Sequence, residues 1–106
     1  MAELLQGTLD VLVLKALSRG QAHGYAVAKF IHDRTGGALL VEEGALYPAL
    51  HRLERKRSIE SEWGLSENNR RARFYRITPS GRAQLRSETV AWREYVDAVA
   101  KVLQAA

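Results

Sequence analysis

The chain has 106 residues, a formal net charge of +4 and no cysteine. This length fits one domain, since single domains cluster at roughly 100–150 residues, and it excludes a catalytic cleft between two large domains. The lack of cysteine excludes disulfides, thiolate metal ligands and a cysteine nucleophile. No apolar stretch approaches the ~20 residues of a membrane span, and the first residues do not resemble a signal peptide. We therefore expect a small cytoplasmic domain that does not contact a membrane.

The positive charge is concentrated in one quarter of the sequence. Residues 52–76 contain eight basic and four acidic side chains, whereas the other 81 residues contain eight of each. A local cationic patch is typical of a surface that binds a polyanion. A solvated helix face beside a charged hairpin gives the same count, so charge alone leaves both interpretations open.

The first half of the chain predicts three helices. Apolar residues recur at helical spacing from Thr8, the expected N-cap, to Ser18, and Arg19-Gly20 is expected to end this helix. A second helix is predicted from Gly24 to Arg34. Leu39-Leu40-Val41 is predicted to form a short strand. The third helix is predicted over about Gly44–Lys56.

The third helix is predicted to have one buried and one exposed face. Leu46, Leu50 and Leu53 lie at i, i+4 and i+7 and are expected to face the core. Pro48 is tolerated only near the first turn, where backbone N–H groups lack a helical partner, so regular helix should start no earlier than Gly44. The outward positions are then Ala45, Tyr47, His51, Arg52 and Arg55.

The second half of the chain predicts a hairpin followed by one long helix. Ile59–Trp63 and Arg73–Ile77 are expected to be the two strands, because apolar and polar residues alternate in the first and aromatic residues enrich the second. The turn between them contains Asn68-Asn69, which suits positive φ. A capping threonine and a first-turn proline, Thr78-Pro79, then start a helix that continues to about Leu103.

The last helix carries an apolar seam that its own domain is too small to cover. A helix of about 25 residues is near 37 Å long. Apolar or small side chains recur along it every 3.5 residues on average, and an exposed seam of this kind needs a partner. We therefore expect a homodimer, with a helix folded back on its own core as the alternative. The expected interface residues are Leu85, Thr89, Trp92, Val96, Val99 and Leu103.

The order of elements predicts a mainly α protein with a small β-hairpin, a winged helix-turn-helix. Residues 1–78 are expected to form the DNA-binding domain and residues 79–106 the C-terminal dimerisation helix. In this fold the third helix enters the major groove of duplex DNA, and the hairpin, or wing, lies beside the backbone. The expected DNA-binding residues are Ala45, Tyr47, Pro48, His51, Arg52, Arg55, Arg70, Arg71 and Arg73.

Four strings of residues, within about residues 4–86, carry a resemblance to a known family. The chain resembles the PadR family of bacterial transcription regulators through Gly7-Thr8-Leu9-Asp10, His23-Gly24-Tyr25, Glu43-Gly44-Ala45-Leu46-Tyr47-Pro48-Ala49-Leu50-His51-Arg52-Leu53-Glu54 and Arg71-Ala72-Arg73-Phe74-Tyr75-Arg76-Ile77-Thr78. The resemblance implies a dimeric repressor that leaves its operator when a small molecule binds. In some short members that effector is a flat aromatic compound held between tryptophans of the C-terminal helices, and Trp92 occupies a similar place here.

Two positions depart from the family pattern. Arg57-Ser58-Ile59 stands where the family usually has Gly-Leu-Ile. The third helix is therefore expected to end without a glycine in the left-handed conformation, at a cost of about 1 kcal/mol. Ala45 stands where many members have serine or threonine, which removes one hydroxyl contact to DNA.

Several of the expected DNA contacts have structural alternatives. Tyr47 is expected to contact a phosphate through its hydroxyl, and the alternative is that its ring packs on the wing. For Arg52 the alternative is a surface ion pair with Glu54 or another neighbour, and for His51 it is simple solvation.

Four aromatic side chains are assigned mainly to packing. His23 and Tyr25 are expected to pack at the start of the second helix, and Trp63 is expected to lie in the core. Trp92 on the seam is compatible with dimer packing and with stacking on a ligand.

The sequence does not indicate an enzyme. Its three histidines lie on separate elements without carboxylates at metal-ligand spacing, and it lacks a glycine-rich phosphate loop and a nucleophile elbow. We therefore expect no catalytic residues, no cofactor and no metal. A winged helix that binds only protein is the alternative to a DNA-binding regulator.

Overall fold

The structure is a computed structural model that describes residues 7–106. The first six residues of the predicted DNA-binding domain lie outside this range. The elements follow in the order α1 (Leu9–Leu17), β1 (Ala22–His23), α2 (Gly24–Arg34), α3 (Glu43–Arg55), β2 (Ile59–Leu65), β3 (Arg71–Ile77) and α4 (Pro79–Leu103). The strands form one antiparallel sheet in the order β1-β3-β2. This arrangement confirms the predicted winged helix-turn-helix fold with a long C-terminal helix.

The core lies where α1, α2 and α3 meet the sheet. Val13, Leu14 and Leu17 of α1 are buried there, as are the three leucines that the spacing of α3 assigned to the inside. Thr8 stands at the N-cap of α1, but its side chain makes no capping hydrogen bond. The predicted N-cap position is therefore confirmed, and the side-chain hydrogen bond does not form because the backbone of Thr8 is helical rather than extended. Among residues 7–106, no helix combines the length and hydropathy that a membrane crossing requires.

The helix α3 begins one residue earlier than predicted. The N–H groups of Ala45 and Leu46 both donate to the carbonyl of Glu42, so the first turn closes at Glu43 rather than Gly44. Pro48 lies inside the helix. The proline removes one hydrogen bond without preventing an earlier start, because its missing N–H affects only the carbonyl of Gly44.

The short strand of the sheet lies before α2 rather than before α3. Ala22 and His23 pair with Tyr75 and Phe74 of β3, whereas the segment 39–41, predicted to be a strand, contains only an isolated bridge at Leu39. Leu39 and Val41 instead pack on the core. The apolar pattern there reflects burial, and the strand forms where a partner edge is available.

The wing is longer than the sequence predicts. The pairs run from Ile59 opposite Ile77 to Leu65 opposite Arg71, so β2 and β3 each gain two residues toward the tip. A five-residue loop, residues 66–70, closes the hairpin, and Asn69 in it adopts φ 57°, as the asparagines of the turn suggested. The N–H of Ser66 donates to the Arg70 carbonyl at 2.8 Å, which extends the strand pairing into the loop, and the N–H of Asn69 donates to the Ser66 carbonyl at 2.8 Å, which closes a turn at the tip.

The turn after α3 keeps the left-handed conformation that a glycine would favour. Arg57 adopts φ 62°, and the N–H groups of Arg57 and Ser58 donate to the carbonyls of Glu54 and Leu53, each at 2.9 Å. These bonds form the double hydrogen-bond pattern of a Schellman motif. The helix therefore ends without a glycine, as expected, and an arginine adopts the strained conformation.

The start of α4 is fixed to this turn. Thr78 caps α4 as predicted, since its hydroxyl accepts from the N–H of Gly81 at 3.0 Å. The same hydroxyl donates to the carbonyl of Arg57 at 2.7 Å, and the N–H of Thr78 donates to the carbonyl of Ser58 at 3.0 Å. Gly81 is buried so closely that a Cβ there would lie 2.0 Å from the Ser58 carbonyl oxygen. We call this contact the α3–α4 junction.

We predict that Gly81→Ala destabilises the fold strongly, because the new methyl group collides with backbone that cannot rotate away. Overpacking of this kind costs about 3 kcal/mol in free energy of unfolding. Urea denaturation followed by circular dichroism measures the change. Gly44→Ala is the matched control, since a Cβ on that helical glycine meets nothing within 4 Å. Equal stability of the two variants would contradict the junction.

Candidate nucleic-acid interface

A groove of about 730 Å³ lies between the helices and the wing. The start of α2 and the exposed face of α3 form one wall, and the wing forms the other. The buried Tyr75 of β3 lines the groove between them, and burial raises the pKa of its phenol above the ordinary value. The phenol therefore stays neutral at physiological pH. The groove is open to solvent and positively charged along the wing side.

The predicted outward face of α3 is exposed along its whole length. Only Tyr47 and His51 of this face line the groove. The other exposed members are Ala45, Pro48, Arg52 and Arg55. The helix thus exposes the side chains that the sequence predicts to contact DNA, but only two of them line the groove.

Tyr47 packs against the start of α2 and lines the groove together with residues of the wing. A Cβ built on Gly24 would lie 3.1 Å from the Tyr47 hydroxyl oxygen, so the glycine leaves room for the tyrosine. His23 caps α2 by accepting the N–H of Ala26 on Nδ1 at 3.2 Å. Two residues of the His-Gly-Tyr string therefore have local structural causes.

The third residue of that string is largely exposed. Tyr25 is 73% exposed and lines the groove, and its ring makes a tilted contact with the ring of His23, 6.3 Å between centroids, at the start of α2. Its exposure follows from its position on the outer side of the first turn, beside the groove.

Arg52 is directed away from the groove. Its guanidinium donates to the carboxylate of Asp10 on α1 at 2.8 Å, and this hydrogen bond raises the pKa of the arginine. The alternative of a surface ion pair therefore describes this residue, although the partner is not Glu54. The two residues are 42 positions apart, which is why the sequence did not identify the partner.

The predicted wing arginines are all exposed, but they have different surroundings. Arg73 donates to the hydroxyl of Ser61 at 2.8 Å and lies 3.6 Å from the carboxylate of Glu54. Arg71 lies over the ring of Trp63, with its Cζ atom 4.6 Å from the ring centroid. Within residues 7–106, neither Arg70 nor Arg71 makes an ion pair.

Trp63 is not a core residue, which corrects the expectation from the sequence. It is 55% exposed and forms part of the groove wall. The alternation of β2 is real, but on this hairpin the face that carries Trp63 turns toward the groove. The opposite face of the wing carries Arg76, which is paired with Glu60 at 2.7 Å and Glu62 at 3.6 Å. The excess positive charge of the wing therefore lies on its groove side.

A second surface of interest is the far part of α4. The molecule measures 57 × 30 × 21 Å, because this helix projects beyond the domain. Leu85 and Thr89, two of the predicted interface residues, are half-buried beside their own domain. Beyond them the helix exposes a series of apolar side chains: Val90, Trp92, Tyr95, Val96, Val99, Val102 and Leu103.

A largely apolar groove of about 810 Å³ separates α1 from the near part of α4. Val11, Leu12 and Lys15 of α1 form one side, and Thr89 and Trp92 form part of the other. In the described residues, no group of three or more histidine, aspartate or glutamate side chains is placed to hold a metal ion.

Comparisons with known proteins give a consistent result. The profile of the family described as "Transcriptional regulator PadR-like family" matches residues 13–87. The chain is 32% identical over 94 residues to the transcriptional regulator Rv3488 of Mycobacterium tuberculosis. The aligned region covers 89% of this chain and 84% of that protein. It is 30% identical over 93 residues to an uncharacterised protein of Lysinibacillus sphaericus, with 88% and 85% covered.

Solved structures share the fold. A transcriptional regulator from Clostridium thermocellum has a TM-score of 0.83 and 31% identity, covering 91% of this chain and 93% of that one. A PadR family regulator from Eggerthella lenta has a TM-score of 0.80 and 35% identity, with 95% and 86% covered. Bacillus subtilis PadR, solved in complex with operator DNA, has a TM-score of 0.70 and 20% identity, with 81% and 48% covered, so it shows the fold alone.

Proposed function

Because the chain belongs to the PadR-like family of transcriptional regulators, we propose that it acts by binding duplex DNA as a homodimer. It is a regulator and not an enzyme. The observation that carries the proposal is the cationic groove between α3 and the wing, in which Arg71 has no carboxylate partner among the described residues. The operator complex of Bacillus subtilis PadR supports the same use of the shared fold.

Binding energy in this proposal comes mainly from phosphates. Arg70, Arg71 and Arg73 contact the DNA backbone from the wing, and the Tyr47 hydroxyl contacts it from α3. Contacts of this kind release counterions and fix the position of the protein on the duplex without reading sequence.

Sequence is read by the exposed side of α3. His51 and Arg55 have donors that reach base edges, and Ala45 and Pro48 supply apolar contacts in the major groove. Arg52 contributes only when its bond to Asp10 exchanges for a contact to DNA. The regulator acts as a repressor in this proposal.

We predict that Arg71→Ala weakens binding to different duplexes by a similar factor and lowers the slope of log affinity against log salt by about one, because one phosphate contact is lost. Fluorescence anisotropy with labelled duplexes at several salt concentrations measures both quantities. Arg76→Ala is the matched control, since it removes the same charge from the opposite face of β3 and should leave the slope unchanged.

Two outcomes contradict this assignment. Equal slopes for Arg71→Ala and the wild type would mean that Arg71 does not contact phosphate. No binding by the wild type at low salt would contradict DNA binding itself and favour the alternative of a winged helix that binds protein.

The far part of α4 is the proposed dimerisation helix. Within residues 79–106, only the far part of the helix forms the interface in this proposal. The first turns pack on the domain of residues 1–78, and the side chains that face a second copy are Trp92, Val96, Val99 and Leu103. Two α3 helices related by a two-fold axis would then meet successive major grooves, about 34 Å apart.

We predict that Val96→Glu converts the dimer to a monomer, because it places a charge in the middle of the apolar seam. Sedimentation velocity measures the mass of the particle. Ala98→Glu adds the same charge on another face of α4, about 100° around the helix axis from Val99, the nearest seam residue. This variant should leave the dimer intact. A folded, dimeric Val96→Glu variant would contradict the interface.

The proposal includes a small planar aromatic effector in the groove between α1 and α4. The largely apolar lining and the half-exposed indole of Trp92 support this ligand class, since stacking on an aromatic ring adds to the burial of apolar area. An effector there would release the protein from DNA by changing how the two α4 helices pack.

We predict that planar aromatic compounds quench the tryptophan fluorescence of the protein. The chain has two tryptophans, so Trp92→Phe leaves Trp63 as the only indole and should abolish the quenching. Fluorescence titration measures the effect, with Trp63→Phe as the control that should retain it. Quenching that persists in Trp92→Phe would mean that Trp92 serves packing alone.

A further inference from the structure

We propose that Trp63 positions the guanidinium of Arg71 for the DNA backbone, an inference that rests on the proposed DNA binding. Trp63 is largely exposed although it is the largest type of apolar side chain. An exposed indole forgoes the free energy that burial of its apolar surface would contribute to folding. Its position on the groove wall is therefore expected to serve another purpose.

The register of the wing brings two arginines onto the indole. Trp63 lies directly opposite Arg73, and Arg71 is the diagonal neighbour on the same face. The two guanidinium Cζ atoms are 4.6 Å and 5.5 Å from the ring centroid, Arg71 being the nearer. Both distances lie within the range of cation–π attraction.

The two arginines depend on Trp63 to different degrees. Arg73 is also held by the Ser61 hydroxyl and by the Glu54 carboxylate, which itself accepts a hydrogen bond from Ser61 at 2.5 Å. Arg71 makes no side-chain hydrogen bond or ion pair among the described residues, and the indole is its principal contact. Trp63 is therefore a positioning residue chiefly for Arg71.

A comparison of the two faces of the wing shows why an aromatic ring suits this role. On the far face, Arg76 is held by the carboxylates of Glu60 and Glu62, which neutralise its charge. On the groove face, the indole holds Arg71 without neutralising it. The N–H groups at the edge of a guanidinium that lies on a ring stay available for the paired oxygens of a phosphate.

Holding the side chain in advance increases affinity. A free arginine loses much rotamer freedom when it binds, and a side chain already confined on a ring loses less. We therefore expect Trp63 to matter for DNA affinity only while Arg71 is present, since it acts through that residue.

A double-mutant cycle tests this dependence. Wild type, Trp63→Leu, Arg71→Ala and the double variant are titrated into a labelled mixed-sequence DNA duplex at low salt, with anisotropy as the readout. We expect Trp63→Leu to weaken binding about three-fold when Arg71 is present and to have no effect in the Arg71→Ala background. The same factor in both backgrounds would overturn the proposal, because Trp63 would then act independently of Arg71.

Trp63→Phe gives a second measurement in case leucine disturbs the wing. Phenylalanine keeps a flat ring, so it should restore most of the affinity, and its remaining effect should also vanish without Arg71. An affinity of Trp63→Phe as low as that of Trp63→Leu would count against a role for the ring.

The experiment separates this proposal from the one on which it rests. If the wild type does not bind the duplex, DNA binding and the role of Trp63 fail together. If the wild type binds and the cycle shows no coupling, only the positioning role fails. Thermal melting by circular dichroism checks that each variant folds, and we expect little change because Trp63 is so exposed.

Discussion

The close contact at the α3–α4 junction is the constraint on which the rest of the structure depends. Gly81 allows α4 to approach the Ser58 carbonyl to a distance that no side chain would permit. The Thr78 hydroxyl links the same turn to the cap of α4. Because that turn also ends α3, the helix proposed to read DNA and the helix proposed to form the dimer meet at one point.

The fold also sorts the charges that the sequence concentrates in one region. Arg52 is bound by Asp10, and Arg76 is bound by carboxylates on the far side of the wing. The groove keeps Arg71, which lies over an aromatic ring, and Arg73, which is held by a hydrogen-bond network as well, and both side chains stay exposed. Although the net charge of the protein is modest, its unpaired positive charge is concentrated on one surface. This concentration supports the proposed contact with a polyanion.

The sequence predicted the parts of the fold that depend on local pattern. The helices, the hairpin, the cap at Thr78 and the buried leucines of α3 follow from spacing and turn chemistry, and the structure confirms them. The pattern did not identify β1, because two residues form a strand only when a partner edge is present. It misplaced Trp63, because alternation reveals that a strand has two faces but not which face is covered. The Arg52–Asp10 bond joins distant positions and has no local signal.

The long helix α4 is held by the domain through the α3–α4 junction and the packing of Leu85, and its far part projects like a lever. It extends over 25 residues, near 37 Å in all, so a rotation of about 5° at the junction displaces its far end by about 3 Å. Conversely, two protomers joined near the ends of these levers would transmit a small change in their packing to the distance between their α3 helices. Since successive major grooves have a fixed spacing, the fit of two protomers on DNA would depend on how rigidly the α3–α4 junction and the packing of Leu85 hold α4 to its domain.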